Sequence, residues 1–248
     1  IKGDDAVSPD EIQKNIRTKV GKVYNVSELR QDILTITDLY AQKGYAYADA
    51  NPISKLNDAE RTVDLSVEVD KGKKVYVGNI EILGNIKTKD NVIRREFRVK
   101  EGELFDGSKL KRSKQRINNL NFFEDVKVDT HRGQDPDLID ILTTVTEKPT
   151  GSFTIGAGFS SVENLIFSTS IAQNNLFGGG QRLNLTAKLS SIRTDFNLSY
   201  TEPRVFDSDI SFGVDAFNQD QDLISFDAQS TGGGFRLGKN VTEYDSVN

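Results

Sequence analysis

The sequence contains no cysteine and only one histidine, and these absences exclude much of the common chemistry of proteins. Without cysteine there is no disulfide, no zinc–thiolate site and no thiol nucleophile, although such a chain is compatible with any compartment. A single histidine cannot build a common zinc site, and no Gly-x-Ser-x-Gly elbow is present to hold a nucleophilic serine. His131 lies in a turn-like stretch, where a solvated side chain is expected. The sequence therefore predicts no enzyme, no metal and no cofactor.

Methionine is also absent, and so are long apolar runs. A complete translation product begins with Met, so we expect this chain to be processed, trimmed or part of a longer one. No secretory signal opens the sequence, and no apolar run is long enough for a membrane-spanning helix. A mature exported protein would have the same features.

Charge is distributed unevenly along the 248 residues, whose formal net charge is −5. Residues 151–248 contain six basic and eleven acidic side chains, whereas the 26 basic and 26 acidic side chains of residues 1–150 cancel. No basic stripe of the kind that nucleic-acid binding requires is present. The two parts of the chain thus differ in character, and neither is predicted to bind nucleic acid.

The first 150 residues contain an internal repeat with an offset of 81 residues. The pattern Gly-x-x-aromatic-x-x-Ser-x-Leu occurs at Gly21–Leu29 and again at Gly102–Leu110. The alternative is chance similarity between two helical segments, which the shared spacing disfavours. We predict two copies of one unit, residues 1–72 and 73–150, and expect the second to fold alone in water.

The residue pattern of each copy predicts a βααββ unit, which is a small sheet with two helices on one face. Ser8, Pro9 and Glu11 form a capping box with proline at the first helical position, and Gly21 is expected to end that helix. In the second copy we expect helices from about Asp90 and from Ser108, with Ser108 as a helix cap. The first copy opens with only the end of its first strand, Ile1–Lys2, so that strand is expected to be truncated and further repeats to lie upstream.

After Thr150 the sequence alternates apolar residues with small or polar ones at a period of two. About six such segments, separated by turn residues, are typical of outer-membrane β-barrels. A soluble β-sandwich alternates in the same way, so periodicity alone leaves both architectures open. Six strands cannot close a membrane barrel, whose smallest members have about eight. If this part is a barrel, we expect further strands beyond residue 248.

Several motifs, taken together, resemble a known family across the whole chain. Gly84-Asn85, "EGELFDGSKL", "RINNLNFFEDV" and "VTEKPTGSF" resemble POTRA domains. "QNNLFGGGQRLNL" and "SYTEPRVFDSDISFGVDAF" resemble strand regions in the barrel of BamA-like outer-membrane β-barrel assembly proteins. A Val-Arg-Gly-Phe motif expected in a later loop is absent, and Gly234-Phe235-Arg236 does not replace it. The resemblance implies α+β POTRA repeats in the periplasm, followed by the N-terminal strands (151–248) of an antiparallel transmembrane β-barrel in the outer membrane of a Gram-negative bacterium.

The resemblance also implies a function without an enzyme, a nucleotide or a cofactor. Such proteins fold and insert other barrels, opening laterally at the seam between their first and last strands. The first barrel strand would then pair with an unfolded client through Phe153, Thr154, Ile155, Gly156, Ala157, Gly158 and Phe159. Glycine weakens a strand interior, which suits a strand that must unpair and pair again. The alternative is that Gly156 and Gly158 relieve crowding in a curved barrel.

Three further contacts are expected on the same basis. Arg94, Arg95 and Glu96 would help to contact a partner lipoprotein of the assembly complex, although an ordinary solvated helix face is an equal alternative. The second strand of the sheet in each copy, about Tyr47–Ile53 and Val126–Thr130, would lie at a sheet edge and could pair with clients. The side chains expected to face outer-membrane lipid are Leu183, Leu185, Leu189, Phe196, Leu198 and Phe212.

Other readings of the sequence remain open at this level. The chain could belong to a related outer-membrane translocation pore or autotransporter-assembly protein with the same arm and barrel. It could also be a soluble periplasmic POTRA scaffold that ends in a β-sandwich. Calcium binding by Asp207, Asp209, Asp220 and Asp222 is conceivable, although solvated turn residues are more common.

Overall fold

A computed structural model of the chain describes residues 2–3, 6–222, 226–240 and 246–247. They form two three-stranded sheets and one seven-stranded sheet. Along the chain, the α-helices of these residues lie between strands of the two smaller sheets. Two compact units are present, one of Ile1–Leu83, Glu96–Asn119 and Val126–Val145, the other of Gly84–Arg95, Leu120–Asp125 and Thr146–Asn248. Among the residues described, no helix combines the length and the apolar character needed to cross a membrane.

The first repeat is a βααββ unit, as predicted. Its elements are β1 (Lys2–Gly3), α1 (Pro9–Asn15), α2 (Val26–Ala41), β2 (Asp49–Asn57) and β3 (Thr62–Asp70). The sheet order is β1-β3-β2, with β1 parallel and β2 antiparallel to β3. Both helices and the sheet contribute to one buried cluster of Val7, Ile12, Ile36, Leu39, Tyr40, Ala50 and Val69. Ile1, expected at the end of the first strand, lies outside the described residues.

The second repeat has the same order of elements. They are β4 (Tyr76–Leu83), α3 (Asp90–Arg94), α4 (Gly107–Asn119), β5 (Phe123–Arg132) and β6 (Leu138–Glu147). The sheet order is β4-β6-β5, so β2 and β5 each stand at a sheet edge, where the sequence predicted the second strand of each copy. Strand β5 is longer than expected and includes His131, so the prediction that this exposed histidine lies in a turn is wrong.

Helix α1 ends at Asn15, and the prediction that Gly21 ends it is wrong. The next residue is extended, and the backbone N–H groups of Arg17 and Thr18 then donate to the carboxylate of Asp32 at 2.7 and 2.8 Å. Asp32 lies on α2 and is 2% exposed. Burial by itself raises the pKa of Asp32, but the hydrogen bonds from Arg17 and Thr18 and the charge of Arg17 outweigh it and lower the pKa. The buried carboxylate of Asp32 therefore binds the backbone just after α1, where the chain has left the helical conformation.

The second repeat holds its chain in the same place with a different side chain. Ser113 stands 81 residues after Asp32, and its hydroxyl accepts a hydrogen bond of 2.8 Å from the backbone N–H of Arg98. Arg98 stands 81 residues after Arg17, and Ser113 is completely buried. Because a buried N–H needs an acceptor, either a carboxylate or a hydroxyl oxygen can fill this position. Comparing residue types alone does not reveal this equivalence.

The long helix of each repeat also begins with an equivalent cap. The side-chain oxygen of Asn25 accepts hydrogen bonds from the N–H groups of Ser27 and Glu28. The carboxylate of Asp106, 81 residues later, accepts from Ser108 at 2.9 Å and from Lys109 at 3.1 Å. The prediction that Ser108 is the cap is therefore wrong, because Ser108 lies inside the first turn and donates its own hydroxyl to Asp106.

The third sheet contains the strand-rich part of the chain. Its strands are β7 (Gly151–Ser160), β8 (Asn164–Leu176), β9 (Gln181–Leu189), β10 (Arg193–Glu202), β11 (Ile210–Asp222), β12 (Asp227–Asn240) and the short β13 (Ser246–Val247). They follow one another as antiparallel neighbours, and a short turn that includes Val205–Asp207 separates β10 from β11. The prediction of about six strands is confirmed, and the sheet is not closed within the described residues.

We predict that Asp106→Ala destabilises the second repeat by about 0.5–2 kcal/mol, because two N–H groups of the first helical turn lose their acceptor. Ser108→Ala is the matched control and should cost less, since it leaves the Asp106 carboxylate in place. Urea unfolding of a polypeptide of residues 1–150 measures both free energies. A larger loss for Ser108→Ala than for Asp106→Ala would show that the cap is assigned to the wrong residue.

Candidate functional site

Strand β7 forms one edge of the seven-stranded sheet. It pairs with β8 along its whole length, from Gly151 opposite Gln173 to Ser160 opposite Asn164. Its other edge has no neighbouring strand among the described residues. The N–H and C=O groups on that edge therefore need a strand from outside the described residues as their partner.

The apolar side chains of β7 all lie on one face and are well exposed. Phe153 is 65% and Phe159 75% exposed, and Ile155 lies between them. Their cross-strand partners on β8, including Ile171 and Leu165, continue the same face. A β-sandwich would bury this face against a second sheet, so the exposure argues against the sandwich alternative.

The two glycines of β7 point to the opposite face and are not imposed by close packing. A Cβ on Gly158 would meet no atom within 4 Å, and one on Gly156 would meet only the hydroxyl of Ser168, at 2.7 Å. That hydroxyl can rotate away. Within the described residues, crowding therefore does not require glycine at position 158 and requires it only weakly at position 156.

Further along the sheet, the register aligns the side chains that were expected to face lipid. Leu185 stands opposite both Ile171 and Leu198, and Phe196 stands opposite Ala187. Phe212 on β11 lies opposite Leu237, and its ring stacks on Phe235 with centroids 6.2 Å apart. All six residues, Leu183, Leu185, Leu189, Phe196, Leu198 and Phe212, lie on one face of the sheet.

The apolar band on this face crosses the strands obliquely. On β8 it runs from Leu165 to Ile171 and stops well before the strand ends at Leu176, whereas on β11 it starts at Ile210, the first residue of the strand. The C-terminal end of β8 and the N-terminal end of β11 lie at the same end of the sheet, because successive strands are antiparallel. An oblique band is the pattern expected for barrel strands tilted by about 35–45°.

The opposite face of the sheet carries ion pairs and hydroxyl groups. Arg236 bonds to Asp215 at 2.6 Å and donates to the hydroxyl of Ser199 at 3.0 Å. Arg193 pairs with Asp195 at 2.7 Å. One apolar and one polar face on the same strands are typical of a barrel wall between lipid and an aqueous interior.

The four aspartates considered for calcium are not brought together. Asp207 and Asp209 lie in the connection between β10 and β11, whereas Asp220 and Asp222 lie at the far end of β11. Asp209 is ion-paired with Arg204. No cluster of three or more potential metal-ligating side chains occurs in the part of the chain that the structure describes.

The three residues expected to contact a lipoprotein have different surroundings. The Arg95 guanidinium is mostly buried and pairs with Asp207 at 3.0 Å, and Glu96 is buried and pairs with Arg116 at 2.5 Å. Arg94 is 44% exposed and pairs with Asp90, one turn earlier on α3, at 2.8 Å. Of the three, Arg94 presents the most surface to a partner.

A hydrogen-bonded junction that the sequence did not predict lies where β6 leads into β7. Glu147, the last residue of β6, accepts hydrogen bonds from the backbone N–H groups of Lys87 at 2.9 Å and Thr88 at 2.6 Å. Burial by itself raises the pKa of Glu147, but hydrogen bonds from Thr88 and Lys87 and the lysine charge lower it overall. The carboxylate therefore holds the loop that follows β4.

The same loop is bound to the turn between β8 and β9. The side-chain amide of Asn175 donates to the Thr88 hydroxyl at 2.8 Å, and its oxygen accepts from the N–H of Gly180 at 2.8 Å. The N–H of Lys89 donates to the carbonyl of Gly178 at 2.9 Å. Gly178 has a φ of +72°, and a Cβ there would collide with the Lys87 carbonyl, so only glycine fits.

A second turn is tied to the helix that follows this loop. Asp207, between β10 and β11, accepts hydrogen bonds from Asn91 and from Arg95. The Asn91 hydrogen bond is the largest effect on the pKa of Asp207, and together with Arg95 it lowers that pKa despite partial burial. Residues 84–95 are thus fastened to two hairpin turns of the sheet. The glycine-rich turn "NNLFGGGQ" is one sequence signal of this junction, and its spacing alone indicates no more than a hairpin.

Comparison with known proteins agrees with this architecture. Residues 1–72 and 75–148 match the POTRA family, described as the surface antigen variable number repeat, and residues 175–248 match the Omp85 superfamily domain. The POTRA match alone covers more than half of the chain. This chain belongs to the POTRA family, and its C-terminal part carries an Omp85 superfamily domain.

Individual relatives support that membership. The outer membrane protein assembly factor BamA of Neisseria meningitidis serogroup B is 34% identical over 257 residues, covering 100% of this chain and 32% of the relative. The same factor of Nitratidesulfovibrio vulgaris is 34% identical over 229 residues, covering 92% of this chain and 29% of the relative. The chain therefore spans about a third of the length of the curated relatives it matches.

A solved structure extends the likeness to three dimensions. The crystal structure of BamA from Haemophilus ducreyi lacking POTRA domains 1–3 superposes with a TM-score of 0.84 at 29% identity, over 99% of this chain and 48% of that one. The seven-stranded sheet is accordingly the start of an outer-membrane barrel wall, and the POTRA repeats belong on the periplasmic side. The β-sandwich alternative is wrong.

We predict that Leu185→Arg destabilises the complete protein in a bilayer by about 2–4 kcal/mol, because it places a charge on the lipid face near the midplane. Thr186→Arg is the matched control one residue away, on the polar face, and should cost little. Chemical unfolding in lipid vesicles measures both. The reverse ranking would show that the two faces are assigned the wrong way round.

We predict that Glu147→Gln weakens the junction, because an amide oxygen cannot replace both carboxylate oxygens as acceptors. Protection of the Thr88 amide against hydrogen exchange should fall roughly tenfold or more, since hydrogen bonds to charged groups contribute about 1.5–3 kcal/mol. The measurement is made on the complete protein. The control is Glu81→Gln, at an exposed position of β4.

The pKa of Glu147 sets the pH dependence of this effect. Because the folded-state pKa is lowered, the contribution is fully present above the ordinary value of 4.5 and is lost as the pH falls through the lower folded value. The protection factor of Thr88 in the unmodified protein should therefore be constant near neutral pH and decrease below about 4.5. An equal protection factor for Glu147→Gln and the unmodified protein at pH 7 would contradict this role.

Proposed function

We propose that the chain is part of an outer membrane protein assembly factor, comprising two POTRA repeats and the first strands of its barrel. This factor folds and inserts β-barrel proteins by strand templating at a lateral seam. The observations that support this proposal are the position of β7 as the first strand of the wall, where a closing barrel forms its seam, and the two glycines within it. The BamA relatives named above are assembly factors by name, and their identity to this chain supports the same role here.

The energetics need neither a nucleotide nor a catalytic residue. In hydrocarbon every unpaired backbone N–H or C=O group costs several kcal/mol, about the value of the hydrogen bond it lacks. An incoming strand that pairs with β7 satisfies both edges at once and brings its own apolar side chains into lipid. Gly156 and Gly158 lower the cost of separating β7 from its seam partner, since they contribute no side-chain contacts there.

The partners that follow are unfolded outer-membrane proteins, outer-membrane lipid and the lipoproteins of an assembly complex. Arg94, on the exposed side of α3, is the member of Arg94, Arg95 and Glu96 best placed to meet a lipoprotein. Among the POTRA edges, β5 is better equipped than β2 to receive a client strand. Pro52 lies within β2 and has no N–H to donate, whereas β5 contains no proline.

Strand templating is tested by disulfide crosslinking in the complete protein. Because this stretch contains no cysteine, single cysteines can be placed in it without background. We predict that cysteine at Ile155 or Ala157 crosslinks to a cysteine in the client's last strand during assembly. Cysteine at Leu185 should not, because β9 is already paired on both sides.

Leu185 is a close control, since it lies on the same apolar face as Ile155 and is exposed. Client crosslinks of equal yield at Ile155 and Leu185 would reject strand templating in favour of a passive pore. The same outcome would favour a translocation pore, in which a client passes the wall without pairing with it.

A further inference from the structure

Two hairpin turns at one end of the barrel wall each present a phenylalanine that nothing in the described chain covers. Phe206, between β10 and β11, is 99% exposed, and Phe177, between β8 and β9, is 85% exposed. Both turns lie at the end of the sheet where β7 begins, because they follow the even-numbered strands of an antiparallel series. Since β7 continues from the POTRA repeats, this is the periplasmic end.

Neither phenylalanine is explained by the conformation of its turn. Phe177 and Phe206 have φ values of 50° and 53°, in the left-handed region that side chains with a Cβ rarely adopt. Glycine or asparagine would relieve that strain, and the neighbouring Gly178 shows that glycine is used in the same turn. A large apolar side chain at a strained, exposed position points to a contact outside this part of the chain.

A third exposed apolar side chain belongs to the junction loop beside Phe177. Ile86 is 92% exposed, one residue before Lys87, whose carbonyl lies against Gly178. Lys87 and Lys89 are exposed, whereas Thr88 between them is buried and bound to Asn175. The Thr88 side chain of this loop is therefore buried, whereas the side chains of Ile86, Lys87 and Lys89 are exposed to solvent. Residues 84–95 contain four basic side chains against one acidic.

The apolar band of the wall leads directly to the Phe206 turn. On β10 and β11 the band reaches the periplasmic end through Tyr200, Phe212 and Ile210, and Ile210 is the first residue of β11 after that turn. The stacked pair Phe212–Phe235 lies on the same face. Aromatic side chains collected at one end of the apolar band are typical of the level at which a barrel meets lipid headgroups.

We propose that Ile86, Phe177 and Phe206, with Lys87 and Lys89, form a rim that rests in the headgroup region of the periplasmic leaflet. The apolar side chains insert beside the acyl chains, and the lysines attract anionic phospholipid. Because the same loop is fastened through Thr88 and Asn91 to both hairpin turns, the rim attaches the junction as well as the barrel wall to the membrane. This inference rests on the lipid-facing band of the proposed function.

The test uses the complete protein in vesicles of phosphatidylethanolamine and phosphatidylglycerol that contain a brominated phospholipid. The described chain has no tryptophan, so Ile86→Trp, Phe177→Trp and Phe206→Trp each introduce a single reporter in a background whose other tryptophans are replaced by phenylalanine. Phe212→Trp is the control for the lipid face. Val23→Trp, at an exposed position of the first repeat, is the control for water.

We expect bromine on the upper part of the acyl chains to quench the three rim reporters, while the Val23→Trp reporter keeps its fluorescence. Rim reporters that behave like the Val23→Trp reporter, while the Phe212→Trp reporter is quenched, would overturn the rim and leave the lipid face intact. Absence of quenching at Phe212→Trp as well would overturn the lipid face and the rim together.

A second arm tests the lysines. Lys87→Gln combined with Lys89→Gln should reduce quenching of the Ile86→Trp reporter in vesicles with phosphatidylglycerol, and not in vesicles of zwitterionic lipid alone. Quenching that is unchanged by these substitutions in both lipids would show that the lysines do not contribute to the contact.

Discussion

Backbone hydrogen bonding at the first strand of the barrel wall is the constraint on which the rest of this molecule depends. A strand in hydrocarbon has no water to satisfy its N–H and C=O groups, so each edge needs another strand. β7 satisfies one edge with β8 and leaves the other to a partner outside the described residues. The glycines and the apolar face lie on this same strand, and the junction lies at its start.

The junction is held by the hydrogen bonds of a few side chains. Glu147 precedes β7 by only a few positions, and its carboxylate binds the loop that Asn175 and Gly178 bind from the other side. Hydrogen bonds to a carboxylate are among the stronger ones in proteins, and its lowered pKa keeps it ionised near neutral pH. The start of β7 is therefore held by these hydrogen bonds.

The two repeats hold equivalent backbone positions with different side chains. Each must end its first helix and carry the chain to the second, and each uses a buried acceptor on the second helix to do so. Asp32 serves in one copy and Ser113 in the other, while Asn25 and Asp106 cap the long helices. The position is preserved and the residue type is not, because the requirement is for an oxygen at a given place rather than for a charge.

Periodicity and residue spacing in the sequence were sufficient to predict the βααββ units and the edge strands β2 and β5. They were also sufficient to predict the six long strands and the shared face of Leu185 and Phe212. All of these features follow from local periodicity and from the repeat. The true cap at Asp106 and the early end of α1 depended on side-chain hydrogen bonds, one of them to Asp32, fifteen residues away. The junction of Glu147, Thr88 and Asn175 required the tertiary structure. Its partners are separated by up to 87 residues, and no local pattern encodes a hydrogen bond over that distance. The oblique course of the apolar band likewise became visible only with the strand register, since alternation within one strand says which face is apolar but not at what height it meets its neighbours.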